Sequence, residues 1–365
     1  MVVYFSLIFI IPAIFTILCH KKKNYTLALA LSILTLYLVS SLRHVDMGAD
    51  SERYMLAFNR IAANGTYYME KGYVLFNRLV YLAFHSYRAL IICLNVLIFF
   101  PLFLFIKKYV KKEYWMVSVM AFLLNPYMFI QSTFNALRQG CAMGIILIAV
   151  IFLLNENMKP FLRYFGFFLF VLVAAQFHQS AYLMLLLPLF FIIKFNQQFW
   201  LIAAIICLTL NIVGFTGLLN RVLSVIGYEQ YLNYESSLLN NPLYTIFIFA
   251  GILLFVDHYA ELTEDKQDKK YVDLYIFSLC FLLIAVANDM IYRFYLILAI
   301  ISFPGLAVVL SKSYHTGGWF KLREGRVFVR CVYIAYYLFF FVGYISYMAI
   351  LQNTNYVPFR FFFQA

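Results

Sequence analysis

The chain has 365 residues, of which 65% are hydrophobic and only 12% are charged, and its formal net charge is +12. Because soluble domains carry about 25% charged residues, this composition excludes an ordinary soluble enzyme and predicts an all-α, polytopic integral membrane protein. Basic loops on one side of a bilayer explain the positive charge, so no nucleic-acid partner is expected.

Apolar runs of nearly spanning length recur throughout the chain and predict about 12 transmembrane helices in a single domain, 1–365. The predicted spans are 2–19, 25–42, 87–106, 114–130, 139–154, 161–176, 181–194, 199–213, 243–256, 271–287, 290–310 and 327–350. The first is expected to stay as a span and not to be a cleaved signal, because its lysines follow the apolar run.

Every second connection between these spans is basic. The basic connections hold 18 of the 28 lysines and arginines, mostly lysine, and the positive-inside rule places them in the cytoplasm. Of the ten basic residues left on the outer side, nine are arginine. Arginine binds phosphate through a planar fork, so the outer face is predicted to hold an anion. The alternative is that arginine tolerates an interface better than lysine.

Two outer segments, about 43–86 and 214–242, are expected to contribute a site on the outer side. Within the first, "EKGYVLFNRLVYLAFHSY" has the pattern of an amphipathic helix on the membrane surface. A third outer segment, 125–140, is predicted to be re-entrant, because Asn125 and Pro126 should end the preceding helix.

The motif "LRHVDMGADSERYMLAF" places Arg43 where the second span ends. Gly48 permits a tight turn, and Asp50 is predicted to cap the helix that follows. Asp50, Tyr54 and Phe58 are spaced to share one face of that helix. The alternative is an ordinary loop helix with local ion pairs.

The motif "NALRQGCAMG" places Asn135, Arg138 and Gln139 at helical spacing at the outer mouth of a span. An arginine at membrane depth is unfavourable by roughly 2.5–3.5 kcal/mol, so it marks a candidate functional site. Gly140 and Gly144 are expected to allow a neighbouring helix to approach closely. The alternative is an arginine that extends to the headgroups without a specific ligand.

The motif "AAQFHQSAYL" places His178 and Gln179 between two predicted spans, on the outer side. A histidine can take a proton from an alcohol near neutral pH, which makes His178 a candidate general base. The alternative is a structural histidine at a helix end.

The motif "VANDMIYRFYLIL" places Asp289 and Arg293 four positions apart, the spacing of a helical ion pair. Arg293 would lie about one turn inside the eleventh predicted span. Such a pair serves either an anion site or the structure of the helix alone.

These motifs resemble a known family. "LRHVDMGADSERYMLAF" resembles the R-x-x-x-x-G-x-D-x-x-x-Y signature of EpsG-like proteins, and "EKGYVLFNRL", "FNALRQGCAMGI" and "FHQSAYLMLLLP" are similar to its later blocks, in the same order. EpsG-like proteins belong among the Wzy-type polymerases of bacterial O-antigen, capsule and exopolysaccharide. This chain departs from the pattern in the spelling "HVDM" before Gly48 and in Ala49, where threonine is frequent.

The resemblance implies a GT-C-like glycosyltransferase of the bacterial inner membrane. Its donor and acceptor would be undecaprenyl-pyrophosphate-linked repeat units, joined on the periplasmic face without a cofactor. A Wzx flippase and a Wzz chain-length regulator would be its partners. The alternatives are a flippase for lipid-linked sugars and an O-antigen ligase, which shares the same chemistry.

A lipid pyrophosphate leaving group needs positive charge where negative charge develops. Arg43, Arg138 and Arg293 are therefore predicted to form its cradle, without a metal ion. The predicted base is His178, with Asp50 or Glu70 as alternatives. The residues predicted to bind substrate are Tyr54, Arg53, Glu70, Tyr73, Asn135, Gln139, Gln179 and Asp289.

Overall fold

The computed structural model describes residues 2–20, 23–125, 128–213, 221, 242–285, 289–311 and 359–363. The predicted span 327–350 and nearly all of the predicted outer segment 214–242 lie outside the described residues. The described part of the chain is helical and contains one isolated β-bridge, which confirms the all-α class. The count of about 12 spans and the single domain 1–365 stay predictions.

Contacts divide the chain into two compact units, Met1–Leu186 with Tyr337–Ala365, and Leu187–Tyr336. The helices of the first unit are α1 (Val2–His20), α2 (Tyr25–Ser41), α3 (Ser51–Asn64), α4 (Lys71–Phe84), α5 (Tyr87–Tyr109), α6 (Trp115–Leu124), α7 (Leu137–Leu153) and α8 (Pro160–Ala175). The first unit also has 3₁₀ helices at Lys112–Tyr114 and Gln179–Leu186 and a π-helical turn at Gln131–Asn135. The helices of the second unit are α9 (Leu187–Phe190), α10 (Gln197–Val213), α11 (Pro242–Asp257), α12 (Tyr259–Leu262), α13 (Lys266–Ala285), α14 (Asp289–Ser302) and α15 (Pro304–Ser311).

Within the described residues, α1 and α5 are long and apolar enough to cross a membrane, and α2, α7, α8 and α10 are shorter apolar helices. Several helices also turn apolar side chains outward. On α8, for example, Phe161 and Phe165 are 75% and 56% exposed. Water-soluble monomers rarely expose a continuous apolar face of this kind, so these exteriors are typical of helices that face lipid.

Helix α7 forms the centre of the first unit and packs against both α5 and α8. Most of its residues are buried. A Cβ atom on Gly144 would collide with the carbonyl of Leu97 on α5, and one on Gly140 would collide with the carbonyl of Ser132. These contacts confirm the prediction that the two glycines allow close approach.

Two predicted spans end earlier than the hydropathy pattern indicates. Helix α6 stops at Leu124, with Asn125 as its C-terminal cap, so the predicted span 114–130 is not one helix. The predicted span 290–310 divides at Phe303 into α14 and α15. Pro304 begins α15, and proline suits the first turn of a helix but breaks its interior.

The two ends of the first unit carry different basic residues. Arg88, at the start of α5, donates to the carbonyl of Ser41 at 3.1 Å, so the end of α2 meets the start of α5. The Tyr109 hydroxyl donates to the Ile151 carbonyl at 2.7 Å, so α5 and α7 end together. The lysines of 107–112 therefore lie at one end of the unit, and the 42–50 turn lies at the other.

A buried carboxylate, Asp273 on α13, joins three elements of the second unit. It accepts hydrogen bonds from the Trp200 indole at 2.8 Å and the Tyr259 hydroxyl at 2.7 Å, and the Lys269 ammonium lies 3.3 Å away. These donors come from α10, α12 and α13 itself. Because every partner lies within this unit, we interpret the network as structural.

Replacing Asp273 with alanine is expected to destabilise the second unit by about 2–4 kcal/mol, because buried donors lose their acceptor and Lys269 loses its counter-ion. Thermal unfolding of purified protein in detergent would measure this as a lower midpoint temperature. Lys266→Ala, an exposed change at the start of α13, is the control and should unfold like the wild type. An unchanged midpoint for Asp273→Ala would contradict the interpretation.

Candidate functional site

The 42–50 turn connects α2 to α3 and packs closely against the segment that precedes α7. Gly48 has a φ of 112°, and a Cβ there would collide with the carbonyl of Phe134. The backbone N–H of Asp50 donates to the Asn135 side-chain oxygen at 2.8 Å. The prediction of a tight turn at Gly48 is confirmed, since few residues other than glycine adopt this backbone conformation.

The predicted cap by Asp50 is wrong. Asp50 does precede the first residue of α3, but its side chain makes no capping hydrogen bond. Its φ of −94° and ψ of 5° differ from the extended conformation that places a capping side chain over the helix end. The shared face is confirmed further along, where Tyr54 and Phe58 are both buried.

The side chain of Arg43 lies inside the protein and is 1% exposed. Its guanidinium donates to the carbonyls of Ser40 at 2.5 Å and Met47 at 3.4 Å. It also lies over the ring of Phe134, 4.9 Å from the centroid. In this arrangement Arg43 ties the end of α2 to the 42–50 turn.

Arg138 lies in the first turn of α7 and pairs through Nη1 with the carboxylate of Glu70, which precedes α4. Both side chains are mostly enclosed, with exposures of 21% and 15%. The buried Nε of Arg138 has no hydrogen-bond partner among the described residues. A buried donor without an acceptor is unfavourable, so this atom is suited to a ligand that brings an acceptor.

Tyr54 completes a group that we call the Arg138 cluster: Arg138, Glu70 and Tyr54. Burial raises the pKa of Tyr54, while the neighbouring charge of Arg138 acts in the opposite direction, and the net pKa lies above its ordinary value. The negative charge of Asp50 adds to the rise. Tyr54 therefore stays a neutral phenol, close enough to the cluster's arginine and to the carboxylate of Asp50 for both charges to affect its pKa.

The predicted helical spacing of Asn135, Arg138 and Gln139 is wrong in part. Asn135 ends the π-helical turn, and Ala136 leaves helical geometry with a φ of −84° and a ψ of 56°. Helix α7 begins only at Leu137. Asn135 therefore contacts the 42–50 turn instead of sharing a helix face with Arg138, and Gln139 is buried.

Tyr73 on α4 connects the cluster to the segment that follows α8. Its ring lies 6.0 Å from that of Tyr54, and its backbone N–H donates to the carbonyl of Gln176 at 3.1 Å. Its buried hydroxyl has no partner among the residues that the structure describes. The segment that carries His178 is thereby attached to the start of α4, where Glu70 lies.

The imidazole of His178 accepts a hydrogen bond at Nδ1 from the backbone N–H of Ser180, at 3.3 Å, and lies 2.7 Å from the Ser180 hydroxyl. A backbone N–H is always a donor, so Nδ1 must carry a lone pair. The proton of the neutral ring is then on Nε2. His178 consequently offers a hydrogen-bond donor at Nε2, and not the lone pair that a general base needs there.

The carboxylate of Asp50 differs from that of Glu70. It is half-buried and lies close enough to Tyr54 to affect its pKa. No hydrogen bond to it from the described residues is found, whereas Glu70 is engaged by Arg138. Asp50 therefore keeps its lone pairs available.

In the first unit, two other predicted site residues lie outside these contacts. Arg53 on α3 and Gln179 after α8 are exposed. Arg293 lies half-buried on α14, in the second unit. The side chain of Asp289 lies outside the described part, so its pairing with Arg293 stays a prediction.

Sequence reasoning missed a set of contacts made by residues 359–363, here called the strap. Arg360 pairs through Nη2 with Asp46 at 2.5 Å, and the ring of His44 lies 2.5 Å from the same carboxylate. The excess of outer arginines was the only signal for Arg360, because no local pattern links it to the turn. No sequence pattern around Asp46 indicated that it would pair with Arg360.

The charge on Asp46 is expected to stabilise the fold in a pH-dependent way. Burial alone would raise the pKa of Asp46, but hydrogen bonds and charges from His44 and Arg360 outweigh it, and the net pKa is lowered. A carboxyl with a depressed folded-state pKa stabilises the protein above its unfolded-state pKa of about 4, and the contribution is lost as the pH falls through the folded-state pKa. Asp46→Asn should therefore lower the unfolding midpoint slightly at neutral pH, and the difference should shrink as the pH falls through the folded-state pKa.

Thermal unfolding of the two proteins across this pH range checks the expectation. Glu52→Gln, an exposed carboxylate on α3, is the control and should follow the wild type at every pH. A difference between Asp46→Asn and wild type that stays constant down to low pH would contradict the role of this charge.

Comparison with known proteins adds one match. The model of the EpsG family matches residues 26–361, which include the 42–50 turn, the Arg138 cluster, His178 and most of the strap. No curated protein and no solved structure matches the chain.

Proposed function

Because the chain belongs to the EpsG family, we propose that it is a membrane glycosyltransferase that polymerises lipid-linked oligosaccharide repeat units into exopolysaccharide or O-antigen. The donor is a glycan chain on undecaprenyl pyrophosphate, and the acceptor is a hydroxyl at the non-reducing end of a second lipid-linked unit. The acceptor oxygen forms a bond to the anomeric carbon of the donor. The bond from that carbon to the pyrophosphate oxygen breaks, undecaprenyl pyrophosphate leaves, and the acceptor's proton passes to a base.

The observation that carries this proposal is the hydrogen bonding of the Arg138 guanidinium. Its Nη1 is held by Glu70, and its buried Nε has no acceptor among the described residues. A pyrophosphate oxygen supplies such an acceptor, and a charged hydrogen bond in a site of low dielectric stabilises the leaving group strongly. Glu70 then orients the guanidinium, so that no reorganisation is needed as charge develops.

Among the three candidate bases, the geometry favours Asp50. Glu70 is committed to Arg138, and the Nε2 of His178 carries a proton when the ring is neutral. His178 is then a donor and not an acceptor at Nε2, which argues against its being the base. Arg43 holds the turn that carries Asp50, and this positioning role replaces the phosphate contact expected from its sequence position. Five residues stay candidates, either for contacting the substrate or for holding the residues that contact it: Arg53, Tyr73, Asn135, Gln179 and Arg293.

The distribution of charge supports a site on the outer face. In the first unit, the lysines of 107–112 and Lys159 lie at the end opposite the Arg138 cluster, and the positive-inside rule assigns lysine-rich ends to the cytoplasm. We therefore assign the site to the periplasmic face of a bacterial inner membrane. A flippase would deliver the substrate there, and a chain-length regulator would be a further partner.

Cells that lack this protein test the function. If it is the polymerase, single lipid-linked repeat units should accumulate on the periplasmic face, and the intact gene should restore long chains. Accumulation of single units on the cytoplasmic face would instead indicate a flippase. Long chains that remain attached to undecaprenyl pyrophosphate would indicate a ligase, and either of these results would overturn the proposal.

A further inference from the structure

The strap lies antiparallel to the 42–47 part of the turn, although Arg360 and Asp46 are 314 positions apart in sequence. An isolated β-bridge joins Arg43 to Phe361. The backbone hydrogen bonds of this bridge are His44 N–H to Arg360 O at 2.8 Å and Phe362 N–H to Leu42 O at 2.9 Å. The turn is thus paired with a distant segment by the backbone itself.

Side chains fix the strap at further points. Arg360 pairs with Asp46, and the ring of Phe359 meets that of Tyr4 edge-on, with centroids 5.5 Å apart. The same ring lies 6.3 Å from the ring of Phe134, on which Arg43 stacks. The strap therefore contacts two aromatic residues, Tyr4 and Phe134, as well as the carboxylate of Asp46.

We propose that the strap is a working part of the candidate site and that Arg360 is a positioning residue for Asp50. This inference rests on the proposed function. The turn is held from two directions, by the strap at Leu42–Met47 and by Asn135 at the backbone of Asp50. Neither contact touches the reacting atoms, but together they set where the carboxylate of Asp50 lies.

The expected consequence is catalytic more than structural. The Asp46–Arg360 pair is partly exposed, and partly exposed ion pairs contribute little to global stability. A displacement of about 1 Å at a catalytic group, by contrast, can lower a rate by up to about 10²-fold. The two effects can therefore be separated by measuring the rate and the stability of the same variants.

The test uses the full-length protein in liposomes with lipid-linked repeat units. Arg360→Gln is expected to lower kcat by about tenfold, to leave KM for the donor within about twofold and to leave the unfolding midpoint close to the wild type. Arg360→Lys, which keeps the charge, should recover part of the loss. The charge exchange Arg360→Asp with Asp46→Arg should recover more activity than either single change. Arg78→Ala, which removes an exposed arginine of α4 outside the strap, is the control and should be active.

Wild-type kcat in Arg360→Gln would overturn the proposal, as would a charge exchange no more active than its single variants. If Arg360→Gln does not fold, Arg360→Lys and the charge exchange provide the same comparison. Failure of the proposed function has a different signature, because the wild type itself would then form no chains from lipid-linked repeat units. If Arg138→Ala is inactive while Arg360→Gln is fully active, only the positioning role fails.

Discussion

Replacing Arg138 with alanine is expected to lower the rate of chain elongation by about 10²–10³-fold, the range for removing one preorganised donor from an oxyanion or phosphate site. The charge that stabilises the departing pyrophosphate is lost, and Glu70 is left as an unpaired, mostly enclosed carboxylate that repels phosphate. Arg138→Lys keeps the charge but has no planar fork, so it should recover only part of the rate. Initial rates in membrane vesicles, normalised to the amount of folded protein, measure both variants.

The matched control for this prediction is Arg78→Ala. Arg78 belongs to the same outer segment, but its side chain is exposed on α4. If outer arginines act only through the general charge of this face, the two substitutions should have similar, small effects. Near-wild-type elongation by folded Arg138→Ala would contradict the assignment of the leaving-group site.

Replacing Asp50 with asparagine is expected to lower elongation by about 10²–10⁴-fold, the usual contribution of a general base. The amide keeps the size of the side chain but cannot take the acceptor's proton. The acidic limb of the pH–rate profile, which reports the protonation of the base, should also disappear. His178→Gln should lose much less activity than Asp50→Asn, because an amide N–H can replace the donor at Nε2.

This pair of substitutions separates the two candidate bases. If His178 were the base, His178→Gln would be inactive and Asp50→Asn would retain its acidic limb. Glu52→Gln is the control for the loss of a carboxylate, since Glu52 is exposed two positions further along. Its rate and pH profile should match those of the wild type.

The features of the fold that could be predicted from the sequence are determined by residues that are close together along the chain. Gly48 needs a positive φ whatever packs around it, and the spacing of Tyr54 and Phe58 determines one face of α3. Gly140 and Gly144 predicted close packing on α7, because a small residue is what such a contact requires. Hydropathy likewise located most of the apolar helices.

The parts that could not be predicted depend on residues distant in sequence. The spacing of Asn135 and Arg138 fits an α-helix, but the π-helical turn intervenes because Asn135 and Phe134 contact the 42–50 turn. The pairing of Arg138 with Glu70 spans 68 positions and has no local pattern. The proton position on His178 follows from one backbone N–H. Each of these features depends on a contact that no local pattern in the sequence indicates.

The most direct test of the central claim uses purified protein in liposomes with synthetic undecaprenyl-pyrophosphate repeat units, without nucleotide and with EDTA present. The products are separated on a gel for the wild type, Arg138→Ala and Asp50→Asn. We expect a ladder of chain lengths from the wild type and no ladder from either variant. A wild type that forms no ladder but moves the labelled lipid across the bilayer would contradict the claim and indicate a transporter.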